Sequence, residues 1–273
     1  MISSDDLRAG VRKSAGVAAS YGSLLLLGSL LVLPWRLEAT SIVALIDHSN
    51  DRVVIAADCR VNQTHGAAEK CKIVEEPDCV VAMAGLFEEP AAGFHLGQLV
   101  HAACLQAGGL RDKAEAFLKI SKGPYENAAR SIRGEQPDNF AQTIANKATE
   151  VIFAGLEKGR LALIVRGLVA DATGKVSLER SESTAPSYAR VGYFLGLNGH
   201  IRAHLKSHPD WAKGDYVQLA RRFVEIEVEA HPDLAGPPIS ELEIDEEGHV
   251  HWLDKGACNG GEPDGTTRET IGN

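Results

Sequence analysis

Between residues 40 and 255 the spacing of apolar positions changes in blocks. Residues 41–46 and 52–57 are short β-branched runs joined by Asp-His-Ser-Asn-Asp, the pattern of a hairpin. Residues 70–74 and 79–82 predict a second pair turned by Glu-Glu-Pro-Asp. Over 89–107 the period lengthens and puts Phe94, Leu96, Leu99, Val100 and Cys104 near one helix face, which Gly108-Gly109 ends. Further helical pattern covers 110–132, with a break expected at Gly123-Pro124, and then 139–147. Strands resume at 150–155, 161–171, 175–180 and 193–197, and helices at 200–207 and 216–230. A last pair, 239–244 and 249–253, surrounds a Glu-Glu-Gly turn. Strands and helices that come in separate batches imply an α+β fold, antiparallel sheets faced by helices, and not a βαβ winding.

The two ends read differently from the body. Arg8, Arg12 and Lys13 precede a compact apolar stretch over 24–33, which Pro34 breaks, and Leu37-Glu38-Ala39 offers a cleavage site. This is the grammar of a removable leader over 1–39, and it predicts export to the periplasm or medium once the leader is cut. Two other readings stay open. A membrane anchor over 17–35 is just long enough to span, and a cytoplasmic pro-segment would be removed by the protein itself. At the other end, 256–273 holds Gly, Asn, Asp, Glu and Thr with almost nothing apolar, which predicts a disordered tail after a domain over 40–255.

Composition narrows the function classes. A net charge of −9 over 273 residues excludes a general nucleic-acid footprint, which needs a basic face. Five cysteines (Cys59, Cys71, Cys79, Cys104, Cys258) show no zinc-type spacing, so neither a metal nor a cofactor is expected. In an oxidising compartment they allow one or two disulfides, Cys59 with Cys71 among the options. His200, His204 and His208 recur every four residues on one helix face and make a conceivable metal site, though no acidic or cysteine partner is evident. His249 and His251 share a strand face and read as solvated.

A cut after Ala39 would leave Thr40 with a hydroxyl and a free α-amine on adjacent carbons, a nucleophile with its own base. Four ordered motifs follow this logic: Thr40-Ser41-Ile42-Val43, Ala56-Ala57-Asp58, Lys72-Ile73-Val74 and Met83-Ala84-Gly85. Their order and spacing resemble the opening of proteasome β-type subunits and bacterial heat-shock peptidases, which are N-terminal nucleophile hydrolases. The resemblance implies a four-layer αββα sandwich and amide hydrolysis through an acyl-enzyme on Thr40. Lys72 would lower the amine's pKa, Asp58 would pair with Lys72, and the Gly85 N–H would face the oxyanion. Arg60 would brace Asp58, and Asp233 would be a late acid. The supporting serines of the family are missing: the matching segments read Gly196-Leu197-Asn198-Gly199 and Asp233-Leu234-Ala235-Gly236. The implied partners are peptides or small amides, with self-association into a homo-oligomer. Export would deny the chain ATP, which argues against an ATP-driven unfoldase. A non-catalytic scaffold or binding protein on the same fold is the rival reading.

Overall fold

The computed structural model describes residues 40–47, 50–63, 66–184 and 191–258. The expected leader and the alternative anchor lie outside them. Among the described residues no helix is long and apolar enough to cross a membrane.

The architecture is α+β, with two five-stranded antiparallel sheets. The strands are β1 (Ser41–Asp47), β2 (Arg52–Asp58), β3 (Arg60–Gln63), β4 (Gly66–Glu69), β5 (Ile73–Glu76), β6 (Cys79–Ala84), β7 (Glu88–Glu89) and β8 (Phe94–His95), then β9 (Ala148–Glu157), β10 (Arg160–Ala170), β11 (Val176–Thr184), β12 (Val191–Gly196), β13 (Ile239–Ile244) and β14 (Val250–Asp254). The helices are α1 (Leu96–Cys104), α2 (Leu110–Glu135), α3 (Pro137–Asn139), α4 (Gly199–Ser207) and α5 (Tyr216–Ala230). One sheet runs β12-β1-β2-β13-β14, the other β11-β10-β9-β6-β5.

The central strands are apolar on both faces, and each face has its own cover. In β1, Ile42, Ala44 and Ile46 join a core with Ala82 and Ala84 of β6, Ile152 and Ala154 of β9, and Leu163 and Val165 of β10. The alternate residues Val43 and Leu45 pack with Ile201 of α4 and with Ala220, Phe223 and Val224 of α5. The second sheet behaves the same way. Val81, Phe153 and Ile164 face Leu96 and Val100 of α1 and Phe117, Tyr125 and Ala129 of α2. Because successive side chains point to opposite faces, covering both turns the alternating signal of a half-exposed strand into a continuous apolar run.

Several elements differ from the sequence expectation. The stretch 89–107 is not one helix: Pro90 opens a 3-10 turn, Gly93 takes φ +66°, and β7 and β8 pair before α1 begins. Helix α2 runs unbroken through Pro124. Its buried face, Ser121, Tyr125, Ala128, Ala129 and Ile132, continues across the proline, and that packing outweighs the roughly 3 kcal/mol an interior proline costs. The expected helix over 139–147 shrinks to α3 and a π turn, Phe140–Ile144. The polar hairpin of β3 and β4 was not signalled at all. Finally, the expected tail does not start at 256. Gly256–Cys258 forms a 3-10 turn bonded to the body by a Cys71–Cys258 disulfide, which also replaces the Cys59–Cys71 pairing. Residues 259–273 lie outside the described residues.

Phe223 carries the packing of α5. It is fully buried, with the rings of Phe194 at 5.8 Å and Trp211 at 5.8 Å. Phe223→Ala is expected to cost about 3–5 kcal/mol, measured by urea unfolding. A loss under about 1 kcal/mol would mean that α5 is held by something other than this cluster.

Candidate functional site

Strand β2 ends at Asp58, and the chain before β5 carries Lys72. Both side chains are fully buried, and the Lys72 Nζ lies 2.9 Å from Asp58 Oδ1. Lys72 also donates to the Arg60 carbonyl at 2.6 Å. A strand lysine ordinarily points to water. Lys72 instead sits just before β5, where its carbonyl accepts the Met83 N–H at 2.9 Å and anchors the turn to β6.

The carboxylate of Asp58 is surrounded by main-chain donors. Ser41 N–H gives a bond of 2.7 Å to Oδ1, while Arg60 N–H at 3.2 Å and Gly236 N–H at 3.3 Å go to Oδ2. Two segments distant in sequence, at Ser41 and Gly236, therefore meet on one side chain beside the neighbouring Arg60. Burial pushes the Asp58 carboxyl upward, opposed by the Lys72 ammonium and by the Ser41 and Gly236 N–H groups. The Arg60 guanidinium does not brace Asp58 as expected. It reaches the Pro232 carbonyl at 2.6 Å, and Arg60 serves Asp58 through its backbone.

Thr40 is buried immediately before β1. The Ser41 N–H bond to Asp58 holds the peptide between Thr40 and Ser41 beside the oxygen that Lys72 contacts. On the other side, Leu197 N–H donates to the Thr40 carbonyl at 2.6 Å. Gly196 takes φ +69°, and a Cβ there would stand 2.0 Å from the Thr40 carbonyl oxygen. Only a glycine lets the two backbones approach so closely.

Gly85 follows β6 with φ +103°, and a Cβ would lie 2.7 Å from the Thr149 Cα. The next N–H, of Leu86, bonds Thr149 Oγ1 at 3.0 Å. Asp233 is not brought to the pair: it is exposed in the turn after α5, and its segment reaches Asp58 through Gly236 instead. One acidic residue escaped the sequence reading. Glu150 on β9 is half-buried, and its carboxylate accepts the Gly196 N–H beside Thr40. Burial raises its pKa, and Glu179 raises it further. Glu150, Val165, Gly167, Glu179, Arg180 and Ser181 line an open pocket of about 300 Å³.

The histidines group differently from the expectation. His204 stacks on His208 at 4.1 Å, whereas His200 meets His231 edge-on at 5.0 Å, so the three do not converge. His249 and His251 are exposed, yet both reach Asp245, which they pull down to about 2. Asp245, Glu247 and His249 carry ligand atoms within 4.8 Å of one another, on a surface turn.

Removing the cation should expose the dependence of Asp58 on it. Lys72→Met is expected to destabilise the fold by about 3–5 kcal/mol, since it leaves a buried carboxylate unpaired. Adding Asp58→Asn should recover part of that loss, both measured by denaturant unfolding. Equal losses in the single and double variants would refute the pairing. Glu150 supplies a pH signature. Its folded-state pKa exceeds its unfolded value near 4.5, so between the two the native chain holds a proton the unfolded chain has released. Stability therefore falls as pH rises through that window and levels above it. Glu150→Gln should flatten this part of the profile of thermal midpoint against pH; an unchanged slope would assign it elsewhere.

Comparison of the sequence with protein-family models and with curated proteins returns no match.

Proposed function

We propose that this chain is an amide-bond hydrolase whose nucleophile is Thr40, freed as the first residue by cleavage after Ala39. The observation that carries this reading is the convergence of Lys72 Nζ and Ser41 N–H on one oxygen of Asp58, at the peptide that follows Thr40. A fully buried lysine is a poor device for stability, and a shielded cation next to a hydroxyl-bearing strand start has a chemical use. The four-layer αββα sandwich belongs to the same proposal. Three separate cores support it: one between the sheets and one beneath each set of helices.

The chemistry runs through this chain's own groups. The released α-amine of Thr40 takes the hydroxyl proton, and the Lys72 charge favours the neutral amine that can do so. The Thr40 oxygen attacks a substrate carbonyl, and the negative charge that develops on its oxygen is met by main-chain N–H at Gly85. The amine then passes the proton to the leaving nitrogen. Water, deprotonated by the same amine, hydrolyses the acyl-enzyme. Peptides or small amides are the substrate class. The Cys71–Cys258 disulfide favours an oxidising compartment, in which a partner driven by ATP would find no fuel. Self-association, implied by the resemblance alone, is part of the same reading.

N-terminal mass spectrometry of the purified protein should find a mature chain that begins at Thr40. Thr40→Ala is expected to lower hydrolysis of fluorogenic peptide amides by at least about 10³-fold, as loss of a nucleophile does, while Thr40→Ser keeps measurable turnover. A mature chain beginning elsewhere, or a Thr40→Ala variant as active as the parent, would favour the non-catalytic scaffold.

A further inference from the structure

Cys79 opens β6, and Cys104 closes α1. Both are buried free thiols with their Sγ atoms 2.8 Å apart. Even carbon atoms rest at about 3.5–4.0 Å when unbonded, and sulfur is larger, so this is not a relaxed thiol contact. A disulfide needs about 2.05 Å, so less than about 1 Å of movement separates the pair from a bond. A third residue holds both backbones in place. The buried Lys113 ammonium donates to the Cys104 carbonyl at the end of α1 and to the Pro77 carbonyl in the turn before Cys79. The remaining thiol, Cys59, is buried against the Ser240 hydroxyl at 3.1 Å.

We propose that Cys79 and Cys104 are joined in the mature protein as its second disulfide, made by exchange with a small-molecule or protein disulfide. In the exchange one cysteine thiolate attacks a sulfur of the donor, forming a mixed disulfide and releasing one donor thiol. The other cysteine thiolate then displaces the second donor thiol. The two cysteines together lose two protons and two electrons, and the donor disulfide gains them. The hydrogen bond to Cys79 and burial push the Cys104 thiol up, so little of the reactive thiolate exists once α1 is seated. The bond therefore forms during folding, before the helix closes over it. It shuts a loop between residues 25 apart in sequence and ties α1 to the strand that leads into Gly85. The inference holds whether or not Thr40 is a nucleophile.

The test is the thiol count of the full chain, secreted to an oxidising compartment or refolded in a mixture of oxidised and reduced glutathione. The protein is quenched in acid, denatured, alkylated without reduction and peptide-mapped. The expected result is alkylation at Cys59 alone, with Cys71–Cys258 and Cys79–Cys104 peptides linked. Alkylation at Cys59, Cys79 and Cys104 would overturn the proposal. A second measurement separates a bond from mere packing. Cys79→Ser, Cys104→Ser and the double variant should lower the thermal midpoint by equal amounts, because each removes the same bond. Losses that add in the double variant would mean that the two sulfurs only fill space, and that would also overturn it.

Discussion

The buried contact between Lys72 and Asp58 constrains everything around it. Removing two opposite charges from water carries a desolvation cost that their attraction offsets only when every remaining hydrogen-bonding position is filled. Here the filling comes almost entirely from main chain: Ser41, Arg60 and Gly236 N–H on the carboxylate, and the Arg60 carbonyl on the ammonium. Backbone donors are positioned by secondary structure and not by rotamer choice, so the pair is satisfied only if the elements bearing them are placed correctly. Ser41 starts β1, Asp58 ends β2, and Gly236 precedes β13, which pairs with β2 in register Ile239 to Asp58. The ion pair and the sheet therefore specify one another.

The two-faced strands make this placement firm. A slip by one residue exchanges the two faces of a strand, and here it would drive each set of side chains into a core shaped for the other. In β1 the faces differ in volume. Ile42, Ala44 and Ile46 meet the opposite sheet, and Val43 and Leu45 meet the helices. On the helix side, Glu227 of α5 accepts the Ile201 N–H near the start of α4 at 2.9 Å, so the buried acid satisfies a helix terminus while joining the two helices. The register of β1 with β12 in turn brings Gly196 opposite Ser41 and onto the Thr40 carbonyl.

Much of this was legible in the chain. Helix α5 and strand β13 fall where periodicity puts them, since their apolar spacing is regular and uninterrupted. Asp58 and Lys72 were found through motif order and not through local pattern, which reads Lys72 as a solvent-facing strand residue. Periodicity also misread Pro124, because a proline's cost is local and visible whereas the continuous buried face that overrides it depends on tertiary partners. Glu150 left no trace, and Gly236 showed only as part of a segment from which a serine is missing. One acts by approaching a glycine from another sheet and the other through a bare N–H, and neither act has a side-chain signature. The disulfide belongs with these, since connectivity among five cysteines is not encoded in their spacing.

The absence of the serines that the resemblance implies bears on the proposed reaction. Where the family resemblance implies hydroxyl-bearing side chains, this chain has Leu197 and the Ala235-Gly236 pair, and both segments make their contacts through the backbone. Leu197 N–H holds the Thr40 carbonyl, and Gly236 N–H holds Asp58. A main-chain donor gives a fixed direction and carries no exchangeable hydroxyl proton, so it can orient the site but cannot relay a proton through it. In the reaction proposed above, proton transfer would therefore fall on Thr40 itself, and a free amine at that residue would matter more than in a site rich in hydroxyl groups.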